Sequence, residues 1–81
     1  MADTFTIEAE YTDTFGGEAN YCWVRRATLE LPCDLSDRAI MRRIKRELGL
    51  SGMRGRVENY GDEWTFKPWG RCTILMARVV Y

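Results

Sequence analysis

Over residues 4–12 the chain alternates strictly. Phe5, Ile7, Ala9 and Tyr11 share one face, and Thr4, Thr6, Glu8 and Glu10 share the other. A period of two predicts a half-buried strand. The next stretch, DTFGGEAN, is centred on Gly16-Gly17, which can take positive φ and predicts a turn. YCWVRRATLELP then predicts a second, longer strand, antiparallel to the first and ended by Pro32. Its alternation slips near Val24 and Arg25, which predicts a bulge or twist there.

The period then changes. In CDLSDRAIMRRIKRELGLSG, residues Ile40, Met41, Ile44 and Leu48 fall on one stripe at about 100° per residue, so this stretch predicts a helix. Ser36, or alternatively Asp34, can cap it, and Asp37 suits the positive end of the helix dipole. Lys45 and Arg46 suit the negative end. Gly49 fits a left-handed stop that folds Leu50 back on Ile44, a Schellman ending.

Three further strands are predicted. MRGRVENYG alternates weakly. After a Gly61-Asp62 turn, EWTFKPWG places Trp64 and Phe66 on one face, with Lys67-Pro68-Trp69-Gly70 as a tight turn and Pro68 in its first central place. RCTILMARVVY is so apolar that it is covered on both faces or central in the sheet. The order ββαβββ implies an α+β fold: an antiparallel sheet of about five strands with one amphipathic helix packed on one face. The pattern leaves the strand order open.

Length adds that residues 1–81 form a single domain with one modest core. No apolar run approaches the roughly 18 residues of a membrane-spanning helix. The acidic, alternating start does not read as a signal peptide. The expectation is a soluble cytoplasmic protein with no membrane partner. Cys22, Cys33 and Cys72 are scattered, with no CxxC and no His in the chain, which argues against a zinc site and for reduced thiols. No cofactor or metal is expected.

Charge changes the picture more. Lys plus Arg and Asp plus Glu both number 12, yet residues 1–20 carry Asp3, Glu8, Glu10, Asp13 and Glu18 and no cation. The helix is the reverse. Arg38, Arg42 and Arg46 form an i, i+4, i+8 row, and Arg43 and Lys45 flank it. Each like-charged pair along such a row disfavours the helix by roughly 0.2–0.5 kcal/mol, with relief only if Glu47 pairs back to Arg43. The row reads as solvated heads over snorkelling stems, as a surface for an acidic protein, or as a contact for nucleic-acid phosphate. The pI near 6.2 and the acidic front weigh against nucleic acid. Glu8, Glu10, Asp13 and Glu18 read as edge protection or as a carboxylate patch seeking a cationic partner. Trp23 and Trp64 are expected in the core, whereas Trp69, in its Pro-Gly turn, is either a candidate interface anchor or a cover for the sheet end. A homodimer pairing the acidic front of one copy with the basic helix of another is a further reading.

Catalysis finds little support. There is no imidazole base, and no GxSxG, P-loop, GxGxxG or HExxH occurs. Cys22 beside Arg25 and Arg26 lacks a base partner. A non-enzymatic binding module is expected.

Several stretches of wording resemble a known group. Tyr11-Thr12-Asp13-Thr14, Gly16-Gly17, Asn20-Tyr21 with Trp23-Val24-Arg25-Arg26, and Gly55-Arg56 with Asn59-Tyr60-Gly61-Asp62 are similar to small phage and prophage accessory proteins, in particular anti-CRISPR proteins of type I systems. That resemblance implies a stoichiometric inhibitor. It would bind a Cas subunit of the type I surveillance complex, Cascade, and block target-DNA recognition or nuclease recruitment. It implies no catalytic residues. DNA mimics are strongly acidic overall, and this neutral chain departs from that pattern.

Overall fold

The computed structural model describes residues 3–80. The elements are β1 (Thr4–Phe15), β2 (Glu18–Pro32), α1 (Asp37–Glu47), β3 (Gly55–Asn59), β4 (Glu63–Pro68) and β5 (Thr73–Val80). The fold is α+β. All strand pairs are antiparallel, in the order β2-β1-β5-β4-β3. The most apolar strand, β5, is therefore central. Residue 81, the end of its predicted stretch, lies outside the described residues.

Register explains which side chains are buried. Tyr11, Leu75 and Phe66 stand in one row across β1, β5 and β4, and Ala9, Ala77 and Trp64 in the next. These side chains share one face, and the stripe of Ile40, Met41, Ile44 and Leu48 packs on it with Leu50, Ile7, Leu29 and Leu31. Helix α1 starts where the Ser36 hydroxyl accepts the Ala39 N–H at 3.2 Å. It ends in a Schellman motif: Gly49 takes φ 74°, its N–H donates to the Arg46 carbonyl, and the Leu50 N–H donates to that of Lys45 at 2.7 Å. Arg25 of β2 adds a cation at this end, donating to the Leu48 carbonyl at 2.8 Å.

Several expectations need correction. The β1–β2 hairpin is longer than its alternation suggests, because its strands run up to Gly16-Gly17. The bulge precedes Val24: Thr12 pairs with Val24 and Thr14 with Ala19, leaving residues 20–23 opposite Asp13 alone. Asp13 holds this loop-out by accepting the Cys22 N–H and the Asn20 amide, each at 2.9 Å, and Tyr21 within it takes φ 56°. The bulge turns Trp23 out of the core. It is 42% exposed and packs edge-on against Tyr11, with ring centroids 5.3 Å apart. Pro68 ends β4 opposite Gly55, so the following turn is centred one residue later, on Trp69 and Gly70. All three cysteines are unpaired in the structure, and all lie on the surface.

Candidate functional site

Helix α1 covers β2, β1, β5 and β4 but stops short of β3. Val57 of β3 pairs with Phe66 and so points to the helix side, yet it is 46% exposed. The gap is an open cleft of about 900 Å³. One wall is the flank of α1, with Arg38, Met41, Arg42 and Lys45; the other is β3, β4 and the loop between α1 and β3, with Met53, Arg54, Val57, Trp64 and Trp69. Trp64 is 3% exposed, and its indole N–H has no partner.

Two local devices shape this cleft. The Lys45 ammonium donates to the Met53 carbonyl at 2.8 Å and lies 4.7 Å from the centre of the Phe66 ring. It straps the loop to the helix and is half-buried there. Beyond the loop, the Trp69 N–H donates to the Arg54 carbonyl at 3.0 Å, fixing the β3–β4 end. Gly55 permits the close approach of β3 to the end of β4, where it pairs with Pro68. A Cβ there would collide with the Lys67 carbonyl oxygen and come within 2.7 Å of the Pro68 Cα.

The predicted basic residues therefore separate. Arg38 and Arg42 form the helix rim of the cleft, and Arg46 borders it. Lys45 is committed internally, so its role is to position the wall. Arg43 and Arg46 also line a shelf of about 300 Å³ on the opposite flank, beside residues 28–31 of β2. Among the described residues, no carboxylate lies within 4.0 Å of Arg38, Arg42, Arg43, Arg46 or Arg54. Glu47, the one acid placed to relieve the row, does not pair back to Arg43. Trp69 is 70% exposed and lines the cleft.

The predicted acidic residues do not gather into one patch. Glu8 and Glu10 lie on the sheet face away from the helix, interleaved with cations. Arg78 stands 3.5 Å from Glu8, and Arg26 stands 4.0 Å from Glu10. Asp13 is consumed by the bulge. The Asn20 amide, chief among its hydrogen bonds, holds its carboxyl below the ordinary carboxylate value against a smaller opposing effect of burial. Glu18 sits beyond the hairpin turn, exposed. On β3, Glu58 accepts from the Tyr60 hydroxyl and faces Arg56 at 3.3 Å; the hydroxyl first, and the cations Arg56 and Lys67 after burial's opposing effect, lower its pKa.

Arg54, Met53 and Val57 join the site without having been expected there. The charge of Arg54 was visible in the chain, but nothing local says that its loop returns beside α1. No helix among the described residues is long and apolar enough to cross a membrane. No protein-family model, curated protein or solved structure matches this chain.

Proposed function

We propose that this chain is a non-catalytic binding protein that seats an acidic protein surface in the cleft between α1 and β3. One observation carries the reading: Arg38, Arg42 and Arg54 line the cleft beside the apolar side chains of Met53 and Val57, and among the described residues none of the three has a carboxylate within 4.0 Å, Asp37 at the start of α1 being the one acid on the lining. Cations left free at such a cost to the helix suit carboxylates of a partner, while Met53, Val57 and Trp69 accept its apolar side chains. An aromatic anchor beside arginines is the composition of interface hot spots. The resemblance to type I anti-CRISPR proteins supports a Cas subunit of Cascade as that partner, with inhibition by occupancy of the surface that engages target DNA or the nuclease.

The test is co-purification with type I Cascade complexes, paired with phage survival on hosts carrying them. Capture and protection are expected, and Arg38→Glu with Arg42→Glu is expected to abolish both while leaving the circular dichroism spectrum unchanged. Absence of any complex across the type I subtypes removes the Cas assignment. Capture that survives the charge reversal removes the cleft.

A second reading has one observation in its favour. Glu8 and Glu10 lie on the opposite face of the sheet, so they do not repel a phosphate backbone laid along α1. Binding of generic DNA or RNA that falls steeply with salt is its signature. Salt-independent binding, or none at low salt, excludes it.

A further inference from the structure

Strand β2 is the longest in the sheet and has a neighbour on one side only. Its free edge is defined by register. The Cys33 N–H donates to the Asp3 carbonyl at 3.0 Å, so the pair Asp3–Cys33 is a hydrogen-bonded one. Hydrogen-bonded pairs recur at every second position of an antiparallel ladder. Leu31, Leu29, Ala27 and Arg25 therefore direct their backbone groups to β1, and Glu30, Thr28, Arg26 and Val24 direct theirs outward. Pro32 falls in the outward set, where its missing N–H leaves the β1 ladder intact.

We propose that this edge pairs antiparallel with the same edge of a second copy, about a twofold axis at Thr28. Charge selects that register. Centring on Thr28 sets Arg26 opposite the partner's Glu30, and by symmetry Glu30 opposite the partner's Arg26. Moving the axis to residue 26 or 30 sets like charges face to face, while residue 27 or 29 leaves both charges opposite uncharged residues. In the chosen register Thr28 meets its own copy, as cross-strand threonines do favourably. All three side chains are exposed, and an open shelf lies between residues 28–31 and the α1 side chains Arg43, Arg46 and Glu47. Edge-blunting features, the bulge at residues 20–23 and Pro32, sit at the two ends of this strand, and between them the run from Arg26 to Glu30 is self-complementary, as a twofold interface requires. The pairing makes a continuous sheet with both helices on one side. It leaves the cleft at the β3 end of each copy open, so it stands apart from the function proposed above.

The experiment is sedimentation equilibrium of the full chain across a concentration series, with three partners in charge exchange. The wild type is expected to dimerise. Arg26→Glu alone places Glu opposite Glu, and Glu30→Arg alone places Arg opposite Arg; each is expected to weaken the dimer by roughly 10- to 100-fold. Mixing the two variants in equal amounts restores complementarity at both pairs and is expected to recover a heterodimer. Circular dichroism of each variant separates lost pairing from lost fold. The mixing step keeps the test decisive, because a misfolded variant does not rescue its counterpart. A wild type that stays monomeric at every concentration overturns the proposal, as does a dimer indifferent to both reversals.

Discussion

Lys45 offers the sharpest check on how the cleft is built, because it differs from the arginines beside it in being held from within. Lys45→Met keeps most of the stem's bulk and removes the ammonium. The bond to the Met53 carbonyl is charge-assisted, a class that contributes about 1.5–3 kcal/mol. The Phe66 ring contact adds about 0.5–2 kcal/mol, and the cation near the helix C-terminus about 0.3–1 kcal/mol. Opposing these, the half-buried ammonium no longer has to be held partly out of water, and the freed carbonyl borders an open cleft that water can enter. The net loss is about 1–2 kcal/mol, which for a domain of this size lowers Tm by roughly 4–16 °C. Arg42→Met, one turn back on the wet side, is expected to move stability by no more than about 0.5 kcal/mol. Urea unfolding followed by tryptophan fluorescence measures both. Equal stability of the two variants refutes the strap and returns Lys45 to the binding row.

Gly55→Ala is expected to lose about 1–3 kcal/mol, since the colliding atoms are backbone and cannot rotate away; a neutral outcome in urea would show that β3 can shift outward. Asp13 has its folded pKa below the unfolded value near 3.8, so its contribution is whole above that value and is lost as pH falls through the folded pKa. Urea midpoints taken from about pH 5 to about pH 2 should therefore fall less steeply in Asp13→Asn than in the wild type, and superimposable slopes would remove the bulge carboxylate from acid unfolding. Ile44→Asp puts an unpaired charge at a fully buried position and is expected to abolish the folded circular dichroism signal, a loss of more than about 4 kcal/mol; a cooperative unfolding transition near the wild-type midpoint would mean the helix phase is wrong.

How far the chain announced this fold can be judged from particular residues. The helix was fully legible: cap, stripe and Schellman end all depend on neighbours within one or two turns. The five strands were legible, β1 most plainly from its strict alternation and β5 from its apolar run, and their order was not, since nothing within a strand names its neighbour. Trp23 misled because its composition says core, while its exposure is set by Asp13, ten residues away and across the hairpin. The Arg38–Arg42–Arg46 row was legible as unneutralised charge. That it borders a cleft depends on α1 ending its cover before β3, a fact of tertiary packing. The wording that suggests a phage inhibitor also has structural duties. Asp13 and Asn20 tie the bulge, Arg25 caps the helix, Gly55 lets β3 lie close against β4, and Asn59 accepts the Gly61 N–H in the turn. That wording speaks to architecture first.

The partial reach of the helix has a consequence for how such a molecule can change. Its stabilising side chains are gathered under α1, while the arginines and the exposed tryptophan stand over the uncovered margin, touching little of the interior. Substitutions along that margin shift stability by about half a kilocalorie per mole or less. The scaffold can therefore be re-lettered along that margin a few positions at a time, each intermediate remaining folded.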